Sequence, residues 1–279
     1  MLAPQVEHLI DAALEEDLGR GDPTSEIVFA ARDQLQGKLV AKQPLRVCGL
    51  AVCARVFARV DPATRFTAAV TDGDEARPGT VLAHVAGGAR AVLGAERTAL
   101  NFLQRLSGVA TLTSAYVAAA RAGRARIVDT RKTTPGWRAL EKYAVRVGGG
   151  ANHRADLSGG ILIKDNHVAA CGSVTAAVQR ALAGAVHTLK VEVEVTSLAE
   201  LDEAIAAGAD IVLLDNMDDA TIRAAVERAG GKVILEASGG VSLERVGALS
   251  RIGVDLISVG KLTHSAPAAD ISLEVERGT

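Results

Sequence analysis

Val191-Glu-Val-Glu-Val195 sets two carboxylates, Glu192 and Glu194, on one face of a strand and three valines on the other. A parallel strand covered by helices on both faces reads instead as a continuous apolar run. Charges confined to one face suit the lumen or mouth of a barrel. Two further apolar runs precede this one, Ile127-Val-Asp-Thr-Arg-Lys-Thr-Thr-Pro-Gly136 and Ile161-Leu-Ile-Lys-Asp-Asn-His167. Three follow it: Ile211-Val-Leu-Leu-Asp-Asn216, Val233-Ile-Leu-Glu-Ala-Ser-Gly-Gly240 and Leu256-Ile-Ser-Val-Gly260. Most end in charged, Gly-rich or small polar residues, the edge that a parallel α/β enzyme presents to its substrate. Helical stretches are predicted between the runs at about 136–147, 173–183, 197–207, 219–229 and 242–252. Several open with a Ser or Asp able to cap the first turn, and several close at Gly. Six βα repeats predict a parallel sheet with right-handed crossovers. Periodicity alone leaves an open sheet and a barrel both possible, and the Val191–Val195 run favours a barrel short of the usual eight strands.

The N-terminal part reads differently. Residues 5–18 carry helical apolar spacing at Val6, Leu9, Ile10, Ala13, Leu14 and Leu18, and Gly19 to Pro23 stop the helix. Short strand-like pieces at 37–41, 66–70 and 80–85 follow, separated by Asp72-Gly73-Asp74 and Arg77-Pro-Gly79, with one helix at about 50–60 among them. An Ala-rich helix at about 95–122 leads into the second half. The tail carries another strand-like piece, Asp270-Ile-Ser-Leu-Glu-Val275. The expected organisation is α/β: an N-terminal α+β sandwich over residues 1–106, to which the tail 266–279 returns, and a parallel α/β barrel with fewer than eight strands over 107–265.

Composition bounds the function. The 279 residues are 48% hydrophobic, enough for a sizeable core, and the formal net charge of −2 offers no electrostatic case for nucleic acid or an anionic membrane. Cys48, Cys53 and Cys171 have neither CxxC spacing nor a nearby His pair, which argues against a disulfide framework or a zinc site. No basic N-terminal region followed by a long apolar stretch is present, nor an uncharged run long enough to span a bilayer, so a cytoplasmic protein is expected.

The candidate site lies at the ends of the strand runs. Arg131, Lys132, His153, Arg154 and Lys164 supply positive charge, and the flexible run Val147-Gly-Gly-Gly-Ala-Asn-His-Arg154 brings two of them forward. Arg grips carboxylate or phosphate bidentately, whereas Lys acts as a mobile point charge. Glu192 or Glu194 and Asp215, with Asp165 and Glu236 behind them, suit Mg²⁺ or sugar hydroxyls. Ala237-Ser-Gly-Gly240 and Ser258-Val-Gly260 form the corner where a barrel holds phosphate. No GxGxxG, Walker A or GxSxG motif is present. Lys164 at a strand end also leaves open a Schiff base of the class I aldolase kind.

Taken in order, nine motifs resemble the quinolinate phosphoribosyltransferase family, the decarboxylating nicotinate-nucleotide pyrophosphorylases of NAD biosynthesis. They are Glu16-Asp-Leu-Gly-Arg-Gly-Asp-Pro-Thr-Ser25, Glu96-Arg-Thr-Ala-Leu-Asn101, Asp129-Thr-Arg-Lys-Thr-Thr-Pro-Gly136, Gly148-Gly-Gly-Ala-Asn-His-Arg154 and Ile163-Lys-Asp-Asn-His167. Glu192-Val-Glu194, Leu214-Asp-Asn216, Glu236-Ala-Ser-Gly-Gly240 and Val259-Gly-Lys-Leu-Thr-His-Ser265 complete the set.

The resemblance implies a homodimer whose sites sit at the barrel mouth and are completed by the neighbouring subunit. It implies that Arg97 acts in the partner's site, where Arg131, His153, Arg154 and Lys164, with Thr130 beside them, hold quinolinate. It assigns Lys132 to pyrophosphate, Glu194 and Asp215 to ribose hydroxyls and Mg²⁺, and Ser238, Gly239 and Gly260 to the 5′-phosphate of phosphoribosyl pyrophosphate. Lys132, Lys164, Glu194 and Asp215 are the expected catalytic residues, and Lys261 receives no role. No covalent enzyme intermediate is implied, so the Schiff-base reading loses its purpose. Two other readings compete: a paralogue acting on another acid such as nicotinate, and a non-catalytic phosphoribosyl-pyrophosphate sensor. Five cations favour a diacid over a monoacid, and the carboxylate pair favours catalysis over sensing.

Overall fold

The computed structural model describes residues 2–276. Its strands are, in chain order, β1 (Gln34–Ala41), β2 (Leu45–Arg46), β3 (Arg65–Ala68), β4 (Glu75–Ala76), β5 (Val81–Gly88), β6 (Arg126–Val128), β7 (Ile161–Ile163), β8 (Val191–Val195), β9 (Ile211–Asp215), β10 (Ile234–Ser238), β11 (Leu256–Ser258) and β12 (Ile271–Val275). The chain forms two compact units. One takes the residues up to Ser114, Thr134–Gly149 and those from Ser265, and the other takes Ala115–Thr133 and Gly150–His264.

The first unit holds a four-stranded antiparallel sheet in the order β12-β1-β5-β3 and a small β2-β4 pair. Leu39, at the middle of β1, faces Leu273 of β12 and Ala83 of β5 in register. The helix Leu50–Val60 buries Val52, Cys53, Val56 and Phe57, a spacing that puts all four on one stripe. Phe57, Leu39, Leu82, Phe102, Leu103 and Leu106 are almost wholly buried in this unit. Trp137 stacks on Phe102 with ring centroids 4.7 Å apart. Burial, with a smaller contribution from Asp72, pushes the Cys48 and Cys53 thiols far above the usual range, which leaves them inert as nucleophiles.

Two short helices depart from the sequence expectation. Gly19 to Pro23 do end the first helix, Pro4–Leu18, but a new one starts at once, Pro23–Val28. Asp22 caps it by accepting from the Ser25 amide at 3.1 Å, and Pro23 occupies the first helical position, where no amide is needed. Similarly, the polar residues after β7 begin a helix, Asp165–Cys171, where the His167 ring accepts the Lys164 amide at 2.9 Å. The strict alternation of strand and helix therefore breaks after β7. The helix Arg138–Val147 keeps the alternation between β6 and β7 but groups with the first unit.

The second unit carries a parallel six-stranded sheet in the order β6-β11-β10-β9-β8-β7. The first strand in the chain lies beside the last, which is the ring order of a barrel interrupted between β6 and β7. On that open side Ala151 makes a single bridge to Val128. Curvature is visible in the side chains as well. Ligating atoms of Glu192 on β8, Glu236 on β10 and His153 lie within 4.8 Å of one another, although β9 runs between the two strands. Val191, Val193 and Val195 are fully buried on the opposite face of β8. No helix among the described residues is long and apolar enough to cross a membrane.

Candidate active site

A cavity of about 560 Å³ opens at the C-terminal ends of the barrel strands. Among its lining residues are Thr130, Arg131, Lys132, His153, Arg154, Lys164, Glu194, Asp215, Ser238, Gly239 and Gly260. Every sequence-stretch candidate on the barrel named for substrate is thus gathered around one space. Arg97 is not among the lining residues; it is exposed on the stretch of the helix Ala89–Ala120 that belongs to the first unit.

Local bonds explain how the cations are presented. The Lys132 amide donates to Thr130 Oγ1 at 3.0 Å, and the Lys132 carbonyl accepts from Thr263 Oγ1 at 2.7 Å. These contacts hold the backbone and leave the ammonium exposed in the cavity. Asp129, fully buried at the end of β6, accepts from the His153 amide at 2.8 Å and from the Asn152 side chain at 2.6 Å. That clamp sets the loop carrying His153 and Arg154. Arg154 Nη1 donates to the Gly160 carbonyl at 2.8 Å. Burial, and then the positive charge of Arg131, push the Arg154 guanidinium below its ordinary value. Two crowded guanidiniums gain most from an anion placed between them.

Lys164 Nζ stands 3.8 Å from Glu194 Oε2. Burial raises the Glu194 carboxyl above the usual range; Lys164 pulls it back, while Asp215 and Asp165 add to the rise. Asp215 Oδ2 accepts from the Asn216 side chain at 2.7 Å. Of the two carboxylates on β8, Glu194 lines this cavity and Glu192 lies deeper, in the lumen.

The glycine corner is shaped by close approach. Gly239 has φ +92°, and a Cβ there would lie 2.2 Å from Asn216 Oδ1. A Cβ on Gly260 would stand 3.1 Å from His264 Nε2 and 3.3 Å from Lys132 Cδ, so its absence lets those two side chains converge. Asn216, Lys261 and His264, which stand inside quoted motifs but receive no role from the sequence, also line the cavity. Lys261 and His264 share one face of the single turn Lys261–His264 through their three-residue spacing. That spacing was the only available signal, and a four-residue helix gives no periodicity to read.

Comparison with known proteins divides the chain near residue 108. Residues 22–107 match the N-terminal domain of quinolinate phosphoribosyl transferase, and residues 109–274 match its C-terminal domain. The chain belongs to the quinolinate phosphoribosyltransferase family. It is 44% identical to the nicotinate-nucleotide pyrophosphorylase (carboxylating) of Mycobacterium leprae, with 95% of each chain covered. It is 38% identical to quinolinate phosphoribosyltransferase (decarboxylating) 1b of Nicotiana tabacum, over 96% of this chain and 81% of that protein. The crystal structure of NadC from Streptococcus pyogenes superposes with a TM-score of 0.94 at 42% identity, over 99% of this chain and 98% of that one.

Gly239→Ala is expected to destabilise the protein by about 1–3 kcal/mol, because it combines a left-handed backbone with a clash against Asn216. Thermal unfolding of the variant against the wild type measures it as a lowered Tm.

Proposed function

We propose that this chain transfers the phosphoribosyl group of phosphoribosyl pyrophosphate to quinolinate and decarboxylates the adduct, giving nicotinate mononucleotide, pyrophosphate and CO₂. The observation that carries the reading is the sign pattern of one cavity. Arg131, Lys132, Arg154 and Lys164 surround a space that Glu194, Asp215 and the Gly239–Gly240 turn also line. A diacid and a polyphosphate need the cations, and a ribose with its leaving group needs the acids.

In this reading Arg131, Arg154 and Lys164, with His153 and Thr130 beside them, grip the two ring carboxylates and orient the pyridine nitrogen toward the anomeric carbon. Lys132 neutralises charge that develops on pyrophosphate as the glycosidic bond breaks. Ser238, Gly239 and Gly260 receive the 5′-phosphate through a hydroxyl and unobstructed backbone amides. Glu194 and Asp215 stand against the ribose, where negative charge favours an oxocarbenium-like transition state. The same two carboxylates fit a divalent cation: both are hard oxygen donors, and each presents its charge to the same cavity. Mg²⁺ held there would neutralise part of the pyrophosphate charge. Once the pyridinium has formed, the ring itself accepts the electron pair released as CO₂ leaves, so no Schiff base on Lys164 is required.

The working unit is a homodimer, with Arg97 reaching the partner's site. The exposure of Arg97 on the helix Ala89–Ala120 supports this arrangement. A nicotinate-specific paralogue is the nearest competing reading, and a monocarboxylate leaves most of the cation set without a partner.

The test follows nicotinate mononucleotide and CO₂ formed from quinolinate, phosphoribosyl pyrophosphate and Mg²⁺, with nicotinate as the parallel substrate. Turnover of quinolinate alone is expected. Turnover of nicotinate alone, or of neither, overturns the reading.

A further inference from the structure

Parallel barrels usually fill their lumen with layers of branched aliphatic side chains. This one places Glu192 and Glu236 there, 5% and 1% exposed, with His153 between them. Glu192 Oε1 and Glu236 Oε1 are buried with no hydrogen-bond partner, an arrangement that is costly unless it serves a purpose. A second cavity, of about 410 Å³, lies at the N-terminal ends of the strands, where Thr188 and Lys190 are exposed to solvent. It shares His153, Arg154 and Glu236 with the substrate cavity. Glu236 therefore borders the substrate space on one side and a solvent-facing space on the other.

The chemistry of the cluster points to a proton rather than a metal ion. His153 Nδ1 accepts the Arg154 amide at 2.7 Å, which puts the ring proton on Nε2. Nε2 is the nitrogen aimed at the acids, 3.2 Å from Glu192 Oε2 and 3.9 Å from Glu236 Oε1, and a protonated nitrogen cannot ligate a cation. Two buried carboxylates this close repel one another when both are charged, which favours keeping a proton in the cluster. Burial and then the charge of Glu192 hold Glu236 well above the ordinary carboxylate range, with His153 and the Ser258 hydroxyl acting the other way. Arg154, from the same loop as His153, lines both cavities, and Leu213 of β9, in register with Glu236, lines the substrate cavity.

We propose that Glu236 is the acid that protonates the ring carbon vacated by the departing 2-carboxylate, and that it regains a proton from the second cavity. The proposal rests on the quinolinate reading and extends it. The bond between ring carbon 2 and its carboxylate breaks, and the electron pair stays on carbon 2 beside the pyridinium nitrogen as CO₂ leaves. The Glu236 O–H bond then breaks, its proton bonds to carbon 2, and the carboxylate left behind takes a proton from solvent.

Rapid-quench single turnovers on the full chain, with quinolinate, phosphoribosyl pyrophosphate and Mg²⁺, separate the two halves of the reaction. In Glu236→Gln, pyrophosphate is expected to appear at the wild-type rate. Nicotinate mononucleotide lags by on the order of 100-fold, the contribution of a positioned general acid, while quinolinate mononucleotide accumulates. Equal slowing of both products, or of neither, overturns the role of Glu236. Glu236→Asp, which keeps an acid set back by one methylene, guards against a misfolded Gln variant. Given quinolinate mononucleotide directly, it is expected to convert it several-fold more slowly than the wild type, and a wild-type rate overturns the proposal. A wild-type enzyme that releases no pyrophosphate from quinolinate and phosphoribosyl pyrophosphate overturns the quinolinate reading itself.

Discussion

Lys132→Ala is expected to fold like the wild type and to lose turnover by about 10²–10³-fold, equivalent to roughly 3–4 kcal/mol of transition-state stabilisation. The structural reason for the first half is that the local backbone does not depend on the ammonium. Thr263 Oγ1 donates to the Lys132 carbonyl and the Lys132 amide donates to Thr130, and both bonds survive truncation to Ala. The second half follows from where the side chain runs, over Gly260 and into the cavity beside His264. A charge that meets the leaving group strengthens as that group separates, so kcat falls more than KM rises. Lys164→Ala is expected to separate differently. Its ammonium, about half exposed, faces Glu194 and the cavity, so its loss weakens quinolinate binding and raises KM as well as lowering kcat. Steady-state kinetics of both variants, with thermal unfolding as the check on folding, measure the split. Wild-type rates in either variant would mean that the substrate lies elsewhere.

The barrel was legible because one strand advertised two environments. Glu192 and Glu194 share a face against three valines, and the structure turns that face inward. The cations were legible as candidates for a simpler reason: Arg131, Lys132 and Lys164 follow directly on their strands, so chain order and spatial order coincide. What escaped was whatever depends on curvature or on single turns. The approach of Glu236 to Glu192 skips the intervening strand β9, and no local pattern encodes how tightly a sheet curls. The interruption between β6 and β7 has no sequence mark either, since Ala151 bridges through its backbone. Asp22-Pro23 carries a helix-start signal that the end of the preceding helix at Leu18 masks. The helix Arg138–Val147 is legible from its pattern, but its grouping with the first unit is not. Its Glu141 is fully buried in the first unit, ion-paired to Arg105 at 2.7 Å and accepting the Thr134 amide at 3.0 Å, contacts that only the folded unit reveals.

Arg97→Ala and Arg131→Ala subunits, each nearly inactive alone, are expected to recover activity when mixed and allowed to exchange. The proposed dimer fixes the amount. Each site takes Arg131 from one subunit and Arg97 from the other. A mixed dimer therefore holds one site with both arginines and one with neither, so it works at about half the wild-type rate. Random pairing makes about half of the dimers mixed, which brings the population to roughly a quarter of wild-type turnover. The recovery should rise with the time allowed for exchange and vanish if the dimers are cross-linked before mixing. Mixing Arg131→Ala with Arg154→Ala would restore activity only if those two side chains served sites on different subunits. Both line the same cavity of one chain, so their mixed dimers keep two damaged sites and stay inactive. That control separates complementation from simple stabilisation by a partner. No recovery with Arg97→Ala in verified mixed dimers would remove Arg97 from the partner's site.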